Sequence, residues 1–435
     1  MPDHIAKAKQ FGRKAGRELG CRRGQQLRDI TEIPPDGPID GPPVKKLLLP
    51  DRRWVYSGMS ATTRIRSVDL LRGAVMVLMA IDHVRVYAGI PAGGQDPAVF
   101  FTRWITHFCV SGFVFFAGAS AYLFGQKAGN RSALSRFLLS RGVLLVVLEM
   151  TVIRLCWSFN IHLTSFMLAG VIWMLGWCMV LMAAVIWLPL RVIWPAGLVL
   201  IAAQKAFGLV PAGWTWWNFI YPVSEDAPCG VNVLYVIVPW IGVMMAGYGF
   251  GALLRMEARR RDRLCRWIGL GAIGVFLIAG SILALSQPGG GQSGGNHGGQ
   301  PFLYRLLGQQ KYPPSPLFLL MTLGPLIALV PFAEKARGWL ADVFTTFGRV
   351  PLFYYILHIL LIHSAALLVN WLRTGGSLQD HYVTAPYCGL PEGLRWGLPL
   401  LYLVFFVLEV VLYLACRQYQ RYKSTHPNKA WLKYL

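Results

Sequence analysis

The sequence predicts an all-α, polytopic membrane bundle of about ten transmembrane helices. Of its 435 residues, 55% are hydrophobic and only 14% are charged, and the charges lie in short blocks between apolar runs of about 20 residues. A soluble domain would carry more charge. The net charge of +22 would suit a nucleic-acid-binding protein, but the basic residues flank the apolar runs and no recognition motif accompanies them. We therefore expect a lipid bilayer as partner, and no nucleic acid.

Ten apolar runs are long enough to be membrane spans. They cover residues 68–90, 98–125, 138–158, 166–188, 192–209, 231–254, 266–286, 316–333, 348–371 and 394–416. Alternate connecting segments are basic, namely 127–141, Arg191, 255–266, 335–349 and the tail from Arg417. By the positive-inside rule, both the N and the C terminus are predicted to be cytoplasmic.

Two domains are predicted, a basic polar segment over residues 1–65 and a transmembrane domain over residues 66–435. The first segment has no apolar signal-peptide core, so we expect it to stay cytoplasmic, as a disordered tail or as a basic surface arm.

The segments that alternate with the basic ones are predicted to lie on the outer side. Trp214, Trp216 and Trp217 fit an interfacial aromatic belt, with sugar stacking as the alternative. The eight cysteines lack CxxC spacing, which argues against a zinc or iron–sulfur site. Because Cys229 and Cys388 both fall in outer loops, we predict a disulfide between them.

The first span and the one after it carry the main concentration of ionisable residues. At 100° per residue, Asp69, Arg72 and His83 fall on one helical stripe, with His83 about 16 Å further out than Arg72. Asp82 falls on a neighbouring face, where it could orient a residue of the next helix. Ionisable groups inside spans usually mark a substrate path or a reactive centre. The alternative is that Arg72 snorkels to lipid phosphate and His83 binds a backbone carbonyl.

The second span places Arg103, His107 and Ser111 on one face through i, i+4, i+8 spacing. A short hairpin loop would bring His107 to about the depth of His83. In the third span, Glu149 and Arg154 need polar partners, and a structural ion pair is as reasonable for them as a function.

The ninth span holds Tyr354, Tyr355, His358 and His363. The two histidines are five residues apart, hence about 140° apart on a helix, so one can bind substrate while the other packs. A bis-histidine haem site is an alternative, which a featureless visible spectrum would remove.

Several segments together carry a resemblance to a known family. They are SVDLLRG and the following DH pair, FVFFAG, KYPPSPLFLLMTLGP, GRVPLFYYILHILLIH and the final WLKYL. Over about residues 64–435, the chain resembles bacterial members of the heparan-alpha-glucosaminide N-acetyltransferase catalytic-domain family. That family is in turn similar to membrane acyltransferases of the acyltransferase-3 type, which carry an Arg followed by ten residues and a His. Arg72 and His83 have this spacing, and Ser111 begins an SGF segment like theirs.

The resemblance implies transfer of an acetyl or other acyl group from cytosolic acyl-CoA to an acceptor outside a bacterial inner membrane, with no metal. Arg72 and Asp69 at the cytoplasmic end would then bind CoA. The resemblance and the polarity together make His83, His107 and Asp82 the candidate catalytic residues, since neutral imidazole suits proton removal near neutral pH. Supporting or substrate-binding roles fall to Arg103, Ser111, Tyr355, His358 and His363.

The loop AGIPAGGQDP after the first span has no histidine, whereas the lysosomal branch of the family is expected to have one there. This difference argues against an amino-sugar acceptor and makes His83 and His107 the stronger candidates for the catalytic histidine. A glycan, a lipid-linked sugar or a small amine all fit as acceptor, and a homo-oligomer is left open. The alternative function is a proton-coupled transporter without acyl chemistry, and a scaffold role is the third hypothesis.

Overall fold

The structure is a computed structural model. It describes residues 65–91, 96–162, 166–211, 213–286, 301–426 and 428–433, together with the strands β1 (Lys45–Leu48) and β2 (Trp54–Ser57). These two strands pair antiparallel within a first unit, Met1–Thr63. Most of the predicted basic segment 1–65 and the Gly-rich outer tract after the seventh span lie outside the described residues.

The second unit, Arg64–Leu435, is helical. Its α-helices are, in chain order, α1 (Arg66–Tyr87), α2 (Pro97–Trp104), α3 (Phe108–Ala128), α4 (Arg131–Leu148), α5 (Arg154–Ser158), α6 (Val171–Val185), α7 (Leu190–Ala202), α8 (Trp240–Leu254), α9 (Ala258–Ser286), α10 (Phe302–Leu307), α11 (Pro316–Lys335), α12 (Trp339–Arg349), α13 (Pro351–Thr374) and α14 (Leu398–Thr425). A π-helical turn, Glu149–Ile153, joins α4 to α5.

Every predicted span coincides with a helix, and the helical membrane fold is confirmed. Among the described residues, five helical segments are long and apolar enough to cross a bilayer, namely Pro97–Ala128, Ala258–Ser286, Pro316–Lys335, Pro351–Thr374 and Leu398–Thr425. The segment α1 has the length, but charged side chains interrupt its apolar run. Helices α6, α7 and α8 are shorter, with 15, 13 and 15 residues. The count of ten spans and the cytoplasmic termini stay predictions.

Two regions differ from the predicted boundaries. The spans predicted to begin at residues 166 and 231 begin instead with the strands β3 (Met167–Ala169) and β4 (Val231–Val233), which pair parallel to each other. The basic segment 335–349, predicted as a connection, contains α12, which exposes Trp339 and buries Phe347. A short apolar run does not by itself distinguish a strand from a helix, and an amphipathic helix lying along a membrane surface lacks the long apolar run of a span.

Helix α1 lies at the centre of the bundle, against α3, α11, α12, α13 and α14. Its crossing with α12 is the tightest. A Cβ added at Gly73 would lie 1.8 Å from the Phe344 carbonyl oxygen, and one added at Gly348 would lie 1.8 Å from the Asp69 carbonyl oxygen. Small residues at such a crossing let two backbones approach. The polar groups of α1 are therefore held in fixed positions relative to the rest of the bundle.

Candidate active site

A cavity of about 240 Å³ lies beside the second half of α1. Its walls come from α1, from α2 and α3, from the π-helical turn, from the start of α6, from α13 and from three loops that precede α8, α11 and α14. The loops before α11 and α14 belong to predicted outer segments, whereas the lining residues of the loop before α8, Leu234 and Tyr235, fall inside the predicted span 231–254. The volume is below the roughly 300–1,000 Å³ of pockets that enclose a whole drug-sized ligand, so this space suits the reacting end of a substrate.

His83 and His358 form the polar centre of this region. Nδ1 of His83 lies 2.7 Å from Nε2 of His358, and Nδ1 of His358 lies 3.0 Å from the carbonyl oxygen of Tyr354. A carbonyl oxygen only accepts hydrogen bonds, so Nδ1 of a neutral His358 carries the proton and its Nε2 accepts. His83 must then donate from Nδ1, which leaves a lone pair on its Nε2. No other hydrogen bond to His83 occurs among the described residues.

Aromatic side chains surround the His83 imidazole. Trp157 packs edge-on at a ring-centre distance of 4.8 Å, and Tyr355 does so at 6.5 Å. Both line the cavity together with His83, whereas His358 is completely buried behind it. The neighbouring Tyr354 points away, because its hydroxyl donates to Oε1 of Glu409 at 2.6 Å. The ring of His83 is thus fixed by packing and by one hydrogen bond, with its remaining nitrogen available.

Charged groups stand next to His83 in the same cavity. Asp82 was predicted to orient a residue of the next helix, but its ion pair is with Arg85 on its own helix, at 2.8 Å. Lys311, from the loop before α11, and Arg103, from α2, complete the charged lining. Burial lowers the pKa of the Lys311 ammonium, but the neighbouring Tyr312 and Asp82 outweigh this effect and raise its pKa overall. Lys311 is therefore a cation at neutral pH.

The face predicted on the second span divides into two environments. His107 and Arg103 line the cavity, whereas Ser111 lies outside its lining and accepts a hydrogen bond from Oγ1 of Thr322 at 2.9 Å. His107 is buried against Phe318, and its Nδ1 has no hydrogen-bond partner among the described residues. His83 and His107 line the same cavity, and their predicted equal depth in the membrane stays a prediction.

Arg72 and Asp69 lie at the other end of α1, away from this cavity. Nη2 of Arg72 donates to Oδ1 of Asp69 at 2.8 Å, and its Nε donates to the Gly348 carbonyl oxygen at 3.1 Å. Arg349 approaches the other oxygen of Asp69 at 4.0 Å. The Arg72 guanidinium therefore binds the carboxyl-terminal end of α12, where helix carbonyls lack intrahelical partners.

His363 occupies a separate environment from His358, as their spacing predicted. Its Nδ1 lies 3.1 Å from the Cys156 carbonyl oxygen, and its ring stacks on Phe159 at 3.8 Å. The histidine pair that does meet, His83 and His358, is joined by a direct hydrogen bond. Because a metal–imidazole bond is about 2 Å long, an iron between those two nitrogens would need about twice that bond length as their separation, more than the 2.7 Å they have. This pair does not have the geometry of axial haem ligands.

Glu149 and Arg154 do not pair with each other. The Glu149 carboxyl group, at the start of the π-helical turn, accepts hydrogen bonds from backbone N–H groups at the start of α6, including those of Gly170 and Ile172. A Cβ at Gly170 would lie 2.1 Å from Oε1 of Glu149, so this approach requires a glycine. Arg154 binds backbone carbonyls of the following loop, among them that of Phe166 at 2.7 Å. The predicted ion pair is wrong, because each group has backbone partners.

The predicted disulfide is also wrong. Cys229 is an exposed free thiol, and Cys388 is a half-buried free thiol. Burial raises the pKa of Cys388 to about 12. Sequence position placed both in outer loops, but it gave no distance between the two sulfur atoms.

Several residues of this cavity had no site role predicted from the sequence. Lys311 and Tyr312 were noted only as part of a resembling segment, and Tyr235, whose hydroxyl lies 3.2 Å from that of Tyr312, was not singled out. All three sit in loops, where no helical periodicity reports a shared face. Lys311 could have been recognised from its position between a predicted outer loop and an apolar span.

The fold and the cavity together define a multi-pass helical membrane protein with a histidine-centred site. The family model described as heparan-alpha-glucosaminide N-acetyltransferase, catalytic, matches residues 64–285. The chain belongs to this family, which is one of membrane acetyltransferases. The matched part contains His83 and His107, whereas Lys311 and His358 lie beyond it. The search of curated proteins finds no match to this chain.

Proposed function

We propose that this protein transfers an acetyl group from cytosolic acetyl-CoA, or another acyl group from its CoA thioester, to an acceptor on the outer side of a bacterial inner membrane. A glycan or sugar is the favoured acceptor. The observation that carries the proposal is the hydrogen-bonded series from Tyr354 through His358 to His83, because it leaves an unprotonated nitrogen of His83 beside a cavity. Membership of the family indicates acetyl transfer as the reaction. The unprotonated nitrogen of His83 can act as the base or the nucleophile in that reaction.

In the simpler mechanism, Nε2 of His83 acts as general base. It takes the proton from the acceptor hydroxyl or amine as that atom attacks the thioester carbonyl carbon. The new carbon–oxygen or carbon–nitrogen bond forms, the carbon–sulfur bond breaks, and the imidazolium returns the proton to the CoA thiolate. His358 would hold His83 in the required tautomer through both steps, as the orienting carboxylate does in a Ser-His-Asp triad.

In the second mechanism, Nε2 of His83 attacks the thioester carbonyl carbon, the carbon–sulfur bond breaks, and CoA leaves as the thiolate while the ring becomes an acyl-imidazolium that keeps its Nδ1 proton. The acceptor hydroxyl or amine then attacks the acyl carbon, the carbon–nitrogen bond to His83 breaks to regenerate the neutral ring, and the proton released by the acceptor converts the CoA thiolate to the thiol. This route suits a donor and an acceptor from opposite sides of a membrane. In either route, Asp82 and His107 remain candidates for positioning the substrates, and Tyr355 for packing against the acyl group.

Reconstitution into liposomes tests the proposal. Purified protein receives acetyl-CoA with labelled acetyl on one side, and a mixed pool of neutral sugars, amino sugars and small amines on the other. We expect labelled acceptor to form with release of one free CoA thiol per transfer. Movement of an unmodified acceptor without CoA release would instead support the proton-coupled transporter, for which a histidine pair can also serve as relay.

A further inference from the structure

Lys311 is a charged residue of the cavity lining that has no role in the proposed transfer mechanism. The lining contains three cationic side chains, from Arg85, Arg103 and Lys311, and two carboxyl groups, from Asp82 and Glu149. Arg85 is bound to Asp82 at 2.8 Å, and Glu149 is bound by backbone N–H groups. Each carboxyl group is therefore already engaged by other donors through at least one oxygen.

The Lys311 ammonium has no ion pair with a carboxylate among the described residues. It lies 5.2 Å from the centre of the Tyr312 ring, a cation–π contact, and Asp82 acts on it only at longer range. A half-buried ammonium is costly in free energy unless an anion or several hydrogen-bond acceptors compensate it. Tyr312 supplies one side-chain hydrogen bond to Lys311, and the position of Lys311 in the wall of a cavity leaves the remaining compensation to a ligand.

The other walls indicate what kind of ligand this is. Tyr235, Tyr312, Tyr355 and Trp157 give the cavity flat aromatic surfaces of the kind that stack on sugar rings. The Tyr235 and Tyr312 hydroxyls lie next to each other, at 3.2 Å, on the Lys311 side. Lys311 and His83 line this same cavity, so an acceptor that enters it meets both side chains.

We infer that Lys311 binds an acidic group, a carboxylate or a phosphate, on the acceptor. This inference rests on the proposed function, since it names the acceptor class of the same cavity. Acyl-CoA also carries phosphates, so the acidic group could in principle come from the donor. The position of Lys311 in a predicted outer loop assigns it to the acceptor.

Binding measurements that need no turnover test this assignment. Purified protein in detergent is titrated with glucuronate, glucose 6-phosphate, glucose and CoA, and thermal unfolding and calorimetry report binding. The variants are Lys311→Met, Lys311→Arg and, as a matched control, Lys127→Met, whose side chain is exposed outside the cavity. His83→Ala is included to separate binding from chemistry.

We expect glucuronate or glucose 6-phosphate to bind on the order of tenfold more tightly than glucose, as a charge-assisted contact would give. Lys311→Met should lose this preference, and Lys311→Arg, Lys127→Met and His83→Ala should keep it. Equal binding of acidic and neutral sugars by the unmodified protein would overturn the inference, whatever the variants do. Loss of CoA binding alone in Lys311→Met would overturn it too, because the acidic group would then belong to the donor. Failure of the proposed function would appear separately, as absence of CoA release with sugar binding intact.

Discussion

The two ends of α1 carry the same kinds of residue and differ in what faces them. At the Arg72 end, a tight crossing with α12 satisfies the guanidinium through Asp69 and the Gly348 carbonyl. At the His83 end, a cavity replaces the crossing, and one imidazole nitrogen has no hydrogen-bond partner among the residues the structure describes. The difference shows that residues of one polar stripe on a membrane helix can be packed against protein at one end and face a cavity at the other.

The largest effect is expected at the Arg72 end of α1, from a side chain added at the crossing of α1 with α12. Gly73→Ala places a methyl group 1.8 Å from the Phe344 carbonyl oxygen, so α1 and α12 cannot keep their separation. We expect a loss of more than about 3 kcal/mol of stability, the range of severe core overpacking. Size-exclusion chromatography in detergent should show little folded protein. Gly271→Ala on α9, where nothing lies within 4 Å, is the control and should fold normally.

The next largest effect is expected from a change at His358, which is hydrogen-bonded to His83. His358→Ala removes the acceptor that holds the proton on Nδ1 of His83, so the productive tautomer is no longer selected. We expect turnover, measured as release of the CoA thiol, to fall by about 10² with the fold retained. His358→Gln should recover part of the rate through its side-chain oxygen. A full rate in His358→Ala would show that this tautomer is not required, and His426→Ala serves as the distant control.

Arg72→Ala should produce a smaller effect, on stability. The side chain is 14% exposed and links α1 to Asp69 and α12, so its loss should cost about 1–3 kcal/mol. A thermal-shift assay measures this, and Arg72→Lys should recover only part of it, because a lysine has a single donor nitrogen in place of the two guanidinium nitrogens that reach Asp69 and the Gly348 carbonyl oxygen. The sequence-based prediction that Arg72 binds the CoA phosphates gives a different result. In that case the apparent KM for acetyl-CoA rises about tenfold or more with unchanged thermal stability.

The smallest effect concerns cysteine labelling in the loop before α14, part of which lines the cavity beside His83. The backbone N–H of Trp396 in this loop donates to the Ala88 carbonyl oxygen. Because burial raises the pKa of Cys388 to about 12, its reactive thiolate is scarce at pH 8, whereas Cys229 is exposed. We expect maleimide to label Cys229 at least tenfold faster, as mass mapping would report. Rapid labelling of both cysteines would show that this loop opens readily. Protection of both cysteines that disappears on reduction would restore the disulfide.

The sequence was sufficient for the helical membrane class and for helices at all ten predicted spans. Those results follow from apolar length and from helical periodicity, which are local properties. The contact between His83 and His358 joins residues 275 positions apart, and Lys311 reaches the site from a loop, so no local pattern reported them. The partners of Glu149 were missed for a related reason, since they are backbone groups, which carry no sequence signal.

The central claim is that the chemistry belongs to the His83 end of α1. The most direct test is kcat of His83→Ala at saturating acetyl-CoA, with labelled acetyl transfer as readout and with size-exclusion and thermal-shift profiles matched to the unmodified protein. Loss of a base or acyl carrier predicts a fall in kcat on the order of 10² or more. Near-normal turnover in His83→Ala together with an inactive His107→Ala would contradict the claim and move the reactive group to the turn that precedes α3.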